Sequence, residues 1–484
     1  MCGSNDWATV VKGGKAKPKG AVAGGDEFNS PVRMRSCLDN VRVKSLGVGP
    51  CAAHCVALTA DGRVFVWGLN TSGQLGLGNG SPEVVPGPTL ALLWKSHTLK
   101  AACGKTAAIK AACGKTHTLI VFEDGAMLSC GAGAKGALGY GTRKADLKEI
   151  SPTPKRVLAG QVSENTHFVD AAAGCDFSLG VTADGQLYSW GWTEFGKLGL
   201  GDDGCYNTKA ASIKLTYTAS GAPARVRLPR DDSPEAKIVS AAAGKNHAAC
   251  VCADGQGYTW GDGAYGKLGH RAQEQGVRPR LLDQVRFSVL YCGDMSTCGL
   301  GWPEYRGREF AKPANDGMLY AWGVLKGTHG EGATRPVPEY ELQGWSVKPE
   351  ALSMGASHVS LSADGTAIAW AQTCVASGQL GYGDKGPKSS NKPQKLSDLD
   401  GAAVCQVVAA AGTTFFLADA KCPKVKALPE YTPPEASAPP LDEDADPAAA
   451  KKGAKPGAKP AAKRAAPKAK AEPKAKAPAK RAKK

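Results

Sequence analysis

Residues 171–204 read AAAGCDFSLGVTADGQLYSWGWTEFGKLGLGDDG, and residues 241–270 repeat them in altered form as AAAGKNHAACVCADGQGYTWGDGAYGKLGH. Both copies contain a glycine, a histidine or aromatic residue three positions later, an Asp-Gly pair, a Trp-Gly pair and a Gly-Lys-Leu-Gly segment. Self-similarity at an ordered spacing is the sequence signature of a repeat protein. The 484 residues are therefore expected to form one repeating architecture rather than several unrelated domains.

The same template fits five further segments of the chain. Four of these copies are marked as follows: His54, Asp61 and Trp67; Gly114, His117, Asp124 and Cys130 in the place of Trp; Gly293, Ser296, Asp316 and Trp322; Gly355, His358, Asp364 and Trp370. The last copy, residues 409–417, has no Trp-Gly pair, but residues 1–7 (MCGSNDW) resemble a degenerate form of the segment that contains this pair. The N-terminus is therefore expected to complete the seventh copy, which removes an open sheet edge.

Each copy predicts short antiparallel strands. Asp-Gly between two apolar runs supplies the positive φ angles of a tight hairpin. One such sheet cannot bury both of its faces, whereas seven sheets around an axis can. The predicted fold class is all-β, a seven-bladed β-propeller at residues 41–422, preceded by an N-terminal segment, residues 1–40, with the ring-closing strand and a basic linker. The long linkers at 201–238 and 301–314 are expected to extend from the rim.

Residues 423–484 differ in composition from the repeats. Pro and Ala alternate with Lys, and few side chains could form a core, so this segment is predicted to be a disordered basic tail. Residues 447–484 carry a net charge of +13, which leaves +3 on residues 1–446. The basic residues proposed to bind nucleic acid are Lys451, Lys452, Lys455, Lys459, Lys463, Arg464, Lys468, Lys470, Lys474, Lys476, Lys480, Arg481, Lys483 and Lys484.

Composition excludes several classes of protein. No apolar stretch approaches the ~20 residues of a membrane helix, and the N-terminus lacks the pattern of a secretory or transit peptide. The sequence therefore predicts an intracellular protein without a membrane span. Sixteen cysteines in this length are too few for a disulfide scaffold, and an intracellular compartment would keep them reduced.

The sequence predicts no metal, cofactor or small-molecule substrate. Gly114-Lys115-Thr116 lacks the glycine that a phosphate loop needs five residues earlier. The repeated histidines belong to different blades, so they are expected to be buried structural residues rather than ligands of one ion. Cys250 and Cys252 lack zinc-site spacing. No hydrolase or transferase constellation stands out, because the repeated Asp residues are explained as turn residues.

The repeats between residues 41 and 420 resemble those of the regulator of chromosome condensation family, seven-bladed β-propellers. The resemblance implies a guanine-nucleotide exchange factor for a Ran-type small GTPase that associates with chromatin. Asp176 stands where the family's founding member has an acidic residue important for exchange, so it is the candidate catalytic residue. The alternative for Asp176 is an ordinary loop residue. Ser296 replaces the family's matching histidine, which favours a second hypothesis, a non-catalytic scaffold at microtubules or cilia.

The basic tail suggests partners and a location. Its composition resembles that of histone H1 and suits the phosphates of DNA and the surface of chromatin. Lys451-Lys452 and Lys463-Arg464 resemble a bipartite nuclear import signal, which predicts a nuclear protein. A polybasic arm of a cytoplasmic or ciliary protein is the alternative.

Overall fold

The computed structural model describes residues 1–6, 26–94, 106–143, 147, 150–207, 215–230, 236–303, 317–324, 332–342, 345–371, 375 and 377–434. The strands in these ranges belong to antiparallel sheets whose first strands contact one another in succession, as they do around the axis of a propeller. The predicted all-β, seven-bladed propeller is therefore confirmed. No helix within the described ranges is both long and apolar enough to span a membrane.

Blades 1 to 3 follow the repeat closely. Blade 1 consists of Val43–Gly47, His54–Thr59, Val64–Leu69 and Val84–Leu90; blade 2 of Ala108–Cys113, His117–Phe122, Met127–Ala132 and Ile150–Arg156; blade 3 of Phe168–Ala173, Phe177–Thr182, Leu187–Trp192 and Ala219–Val226. A two-stranded hairpin, Cys205–Asn207 with Leu215–Tyr217, is inserted before the last strand of blade 3. The linker predicted at 201–238 is thus partly this hairpin and partly a blade strand.

Blades 4 and 5 share one long strand. Blade 4 consists of Ile238–Ala243, His247–Cys252, Gln256–Gly261 and the first part of Gly276–Cys292; blade 5 of the second part of that strand, Ser296–Pro303, Met318–Gly323 and Ala333–Pro338; blade 6 of Val347–Met354, His358–Ala363, Thr366–Ala371 and Gln394–Lys395. Short 3-10 turns lie at Glu194–Gly196, Ala264–Gly266, Tyr340–Leu342 and Ser397–Leu399.

Blade 7 is built from both ends of the sequence. Its order is Val404–Ala409, Thr413–Ala418, Cys2–Ser4 and Glu27–Phe28. Gly3 pairs with Thr413 and has φ +103°, the same region as Gly191 at φ +126° in the Trp-Gly pair of blade 3. Cys2-Gly3 therefore occupies the Trp-Gly place of the seventh repeat, whereas Trp7 lies outside the described residues.

Ordered structure continues past residue 422. Helix Pro423–Ala427 is followed by strand Glu430–Tyr431, which runs parallel to Arg33–Met34. Tyr431 also packs on Phe28 with ring centroids 4.9 Å apart. The boundary of the tail thus lies later than the predicted residue 423, because this segment has apolar and backbone partners in the N-terminal segment.

The repeated His, Trp and Gly-x-Leu-Gly residues meet at the junctions between blades. His117 Nε2 of blade 2 lies 3.0 Å from Ser178 Oγ of blade 3, and Ser178 donates to the carbonyl of Ala137 in blade 2. Trp190 Nε1 of blade 3 donates to the same carbonyl at 2.9 Å. Burial lowers the pKa of His117 to about 4, so the ring is neutral near pH 7. The repeated His, Trp and Gly-x-Leu-Gly residues therefore hold adjacent blades together.

Four cysteines on the strands of blades 4 and 5 are buried. Cys250, Cys252, Cys292 and Cys298 are each at most 3% exposed. Burial raises the pKa of Cys252 and of Cys298 to about 12. These thiols remain protonated and behave as small apolar residues. In the part of the chain that the structure describes, no group of three or more His, Cys, Asp or Glu side chains could hold a metal ion.

Candidate partner-binding face around Asp176

One end of the propeller carries the turns between the first and second strands of the blades. We call this end the Asp176 face, and it comprises residues 48–53, 114–116, 174–176, 244–246, 293–295, 355–357 and 410–412. The turns approach each other closely: a Cβ on Gly114 would lie 2.7 Å from the carbonyl oxygen of Gly174, and one on Gly174 would lie 2.7 Å from that of Gly244. The repeat needs glycine here because any side chain would collide with the next blade.

Asp176 is paired on this face. Its Oδ2 atom accepts a hydrogen bond from Lys135 Nζ of blade 2 at 2.6 Å. Burial disfavours the charged carboxyl, yet the hydrogen bond and charge of Lys135, together with Lys197, hold the pKa of Asp176 below its ordinary value. The Asp176 side chain is 15% exposed and that of Lys135 is 45% exposed. A mostly buried carboxylate is thus paired with a lysine whose side chain is nearly half exposed.

Lys197 is a buried cation behind Asp176. Its side chain comes from the Gly-Lys-Leu-Gly segment of blade 3, and its Nζ donates to Asn246 Oδ1 of blade 4 at 3.0 Å. The ammonium also lies 5.9 Å from the centre of the Phe177 ring. Burial lowers the pKa of Lys197, and the negative charge of Asp176 opposes that shift. Its charge helps to keep Asp176 ionised.

The inserted hairpin stands next to this ion pair. Lys135 Nζ lies 5.4 Å from the centre of the Trp192 ring. Trp192 in turn makes an edge contact with Tyr217 of the hairpin, with ring centroids 6.3 Å apart. Trp192 Nε1 also donates to Glu194 Oε2 at 3.2 Å. The hairpin, Trp192, Lys135 and Asp176 therefore form one continuous surface.

Sequence analysis did not identify Lys135, Trp192 or the hairpin as part of a site. The long linker after residue 201 was the available signal, but it indicated only an excursion.

Two more ion pairs lie on the same end of the propeller: Lys245 Nζ is 2.9 Å from Asp294 Oδ2, and Lys267 Nζ is 2.6 Å from Asp262 Oδ2. Charged and aromatic side chains grouped on one surface suit protein recognition.

Ser296 lies inside the propeller. It is 2% exposed and pairs with Gly323, as His247 pairs with Gly261 in blade 4. In four blades the histidine at this place contacts a hydroxyl of the next blade; the pairs are His54 with Thr118, His117 with Ser178, His247 with Thr297, and His358 with Thr414. In blade 6, which follows Ser296, Val359 occupies the position that holds the hydroxyl residue in the four pairs. The junction between blades 5 and 6 therefore has Ser296 in place of the histidine and Val359 in place of the hydroxyl residue.

We expect Ser296→His to lower the melting temperature, because the buried imidazole would meet the apolar Val359 where His247 meets the hydroxyl of Thr297. An unsatisfied buried polar group costs about 1–3 kcal/mol. Adding Val359→Thr should restore part of the loss by creating a pair like His247 with Thr297. Urea unfolding of both single variants and the double variant measures the coupling, which should be about 1 kcal/mol. Strictly additive effects would contradict the paired arrangement.

The candidate residues do not all lie in the described structure. Asp176 is well placed on a face with Lys135, Lys197 and the hairpin. The fourteen basic candidates from Lys451 to Lys484 lie outside the described residues, so their role stays a prediction.

Comparison with known proteins agrees with the fold and the repeats. The family described as Regulator of chromosome condensation (RCC1) repeat matches residues 61–121, 124–181, 184–251 and 254–300. The chain is 30% identical over 455 residues to the protein RCC2 homolog of Danio rerio, a match that spans 89% of this chain and 83% of the relative.

Two solved structures are similar in fold. The crystal structure of human WBSCR16 has a TM-score of 0.63 at 20% identity and covers 83% of this chain and 93% of its own. That of Saccharomyces cerevisiae Prp20p, described with its binding properties to Gsp1p and histones, has a TM-score of 0.60 at 17% identity and covers 86% and 91%. From the repeats, their geometry and the RCC2 match together, this chain belongs to the regulator of chromosome condensation (RCC1) family.

Proposed function

We propose that this protein binds a Ran-type small GTPase on the Asp176 face and promotes release of its guanine nucleotide while the basic tail holds it on chromatin. The observation that carries the proposal is the geometry of Asp176, a fixed carboxylate paired at 2.6 Å with the half-exposed Lys135 beside the Trp192 and hairpin surface. The binding of Prp20p to Gsp1p and histones supports this kind of partner.

The ion pair suggests how release could be promoted. A lysine of the GTPase can replace Lys135, since both are ammonium groups and Lys135 is near solvent. Asp176 then attracts a cation that would otherwise hold the nucleotide phosphates, which weakens nucleotide binding. Lys197 stays in place and keeps Asp176 ionised. Only interactions that strengthen as the nucleotide leaves will speed the reaction.

Asp176→Ala should slow nucleotide release by about 10- to 100-fold, which is about 1.4–2.7 kcal/mol in the barrier. The melting temperature should change little, because the carboxylate contacts a side chain that is partly in solvent. Release of a fluorescent guanine nucleotide from Ran-type GTPases measures the rate. Lys135→Met should leave release at least as fast as in the wild type, because it frees the carboxylate.

Asp184→Ala is the matched control. Asp184 lies in the Asp-Gly hairpin of the same blade, separated from Asp176 by strand Phe177–Thr182, or about 20 Å of extended chain. Its loss should not alter release. If Asp176→Ala and Asp184→Ala behave alike, or if the wild type releases nucleotide from no Ran-type GTPase, the exchange proposal is wrong.

A non-catalytic scaffold is the second candidate function. It is favoured by Ser296, because blade 5 lacks the histidine that the family resemblance associates with exchange. A scaffold would bind its partner through the same aromatic and charged surface without changing nucleotide affinity. GTPase binding with unchanged release would identify it. For either function we propose a nuclear location, on the basis of the two basic pairs in the tail.

A further inference from the structure

A second basic surface lies on the outer edge of blade 6. The loop that leads into the last strand of this blade contributes four exposed lysines, which we call the blade 6 lysines: Lys385, Lys388, Lys392 and Lys395. Consecutive members are three or four residues apart, so even an extended chain places their Cα atoms within about 14 Å of one another. They therefore form one local patch of positive charge.

The repeat does not require these lysines. The corresponding loop of blade 1, residues 70–83, contains the same Gly-Gln-Leu-Gly segment without any lysine or arginine. In blade 6 the loop is tied to its own sheet at Ser390, whose carbonyl accepts a hydrogen bond from Ala371 N at 2.6 Å and whose hydroxyl accepts one from Lys392 N at 3.2 Å. The loop thus presents its lysines from a backbone that is anchored to the blade.

Positive charge exceeds negative charge on this loop. Two aspartates flank the lysines in sequence, Asp384 and Asp398, so residues 384–398 carry a net charge of +2. Lys395 Nζ lies 4.7 Å from the centre of the Trp345 ring. A contact with a ring face leaves the charge of an ammonium in place. The patch is therefore suited to a partner with several negative charges.

The chain leaves the propeller beside this patch. Asn29 of the N-terminal segment accepts a hydrogen bond from Gly383 N at 2.8 Å, and its side-chain amide donates to Asp384 at 2.8 Å. The preceding residue, Phe28, packs on Tyr431 with ring centroids 4.9 Å apart. Only Phe28 and Asn29 thus separate Tyr431 from the lysine loop, and the described residues end three positions after Tyr431.

We propose that the blade 6 lysines are a second contact for duplex DNA and bind phosphates of the same duplex that the basic tail holds. The proposal rests on the chromatin-binding part of the proposed function. A lysine ammonium is a compact charge that binds phosphate without reading the bases. Because the chain that leads to the tail starts beside the patch, DNA held by the tail has a high effective concentration there. A contact that is weak by itself then adds to the affinity.

Fluorescence anisotropy of the full-length chain with labelled duplex DNA, between 50 and 200 mM salt, tests the proposal. The variant that combines Lys385→Gln, Lys388→Gln, Lys392→Gln and Lys395→Gln should bind about 10- to 100-fold more weakly at 100 mM salt. Its logarithmic salt slope should be smaller in magnitude by about 2 to 3, since each phosphate contact contributes about 0.9. The melting temperature should change little, because these side chains are on the surface.

The matched control removes the same number of charges from blades 2 and 4. It combines four substitutions of exposed residues: Lys155→Gln, Lys237→Gln, Arg278→Gln and Arg280→Gln. This variant should keep the wild-type affinity and slope. Equal losses in the two variants would show that only net charge matters, and wild-type binding by the blade 6 variant would show that the patch does not contact DNA. Either result overturns the proposal.

Acetylation of lysines in the protein–DNA complex gives a readout that does not depend on net charge. Bound DNA should protect Lys385, Lys388 and Lys392 and leave Lys237 reactive. If the blade 6 variant instead binds DNA normally but loses binding to polyglutamate, the patch recognises an acidic protein and the DNA contact is wrong.

Failure of the patch is distinguishable from failure of the proposed function. A chain without residues 447–484 that binds DNA as well as the wild type would refute the role of the tail, whereas the two four-residue variants report on the patch alone. These measurements contain no GTPase, so they are independent of nucleotide release.

Discussion

Deletion of residues 2–6 is expected to lower the free energy of unfolding by about 5 kcal/mol, since it removes the third strand of blade 7 and the burial of Cys2. The strand holds the ring through Ser4, whose N–H donates to Gly412 at 3.1 Å and whose carbonyl accepts from Thr413 Oγ1 at 2.7 Å. Its loss opens the edge of Thr413–Ala418. Thermal unfolding should show a fall of roughly 5–10 °C.

Two comparisons make this test specific. Deletion of residues 447–484 should leave the melting temperature nearly unchanged, because that segment has few apolar side chains to bury. Gly3→Ala should also destabilise the protein, since Gly3 has φ +103° and an added Cβ would lie 2.8 Å from Thr413 Cα. Gly80→Ala is the control for the backbone conformation alone, because Gly80 has φ +78° and an added Cβ would have no atom within 4 Å. Equal effects of the two deletions would contradict ring closure through the N-terminus.

Deletion of residues 447–484 is expected to remove most of the affinity for DNA. If half of the 14 basic residues contact phosphates, the logarithmic salt slope is about −6, and affinity falls about 10³- to 10⁴-fold between 50 and 200 mM salt. The rest of the chain carries a net charge of only +3 and should bind weakly. Fluorescence anisotropy with labelled duplex DNA over this salt range measures both quantities.

A charge-neutral tail with every Lys and Arg replaced by Gln is the control for tail length. It should behave like the deletion, because the interaction is with phosphate charge. A tail-deleted propeller with wild-type affinity and slope would show that the binding surface lies on the blades instead. Equal binding of DNA and other polyanions would identify non-specific electrostatics as the basis of recognition.

Repeat comparison was sufficient to predict the propeller, because each blade is a local unit. Asp-Gly hairpins and Trp-Gly pairs recur in most copies, so a pattern within ~60 residues contains most of the information. The N-terminal Cys2-Gly3 was recognisable for the same reason: the last copy was incomplete, and a closed ring needs the missing strand.

The candidate site was predictable only in part. Asp176 stood out because it lies apart from the Asp-Gly turn positions and stands where the resembled family has an acidic residue. Lys135 belongs to another blade and looks like an ordinary surface lysine in sequence. Ser296 was correctly noticed as a departure from the repeat, yet the sequence did not show that its counterpart is Val359. That relation crosses a junction between blades.

The sequence by itself determined the number of blades, the places of the repeated Asp-Gly hairpins and the composition of the tail, since these depend on local turn chemistry and repetition. The tertiary structure alone decided which residues from distant parts of the chain meet: Lys135 with Asp176, and Tyr431 with Phe28. Such contacts join residues about 40 to 400 positions apart. The ring brings them together by its curvature and closure, which no single repeat encodes.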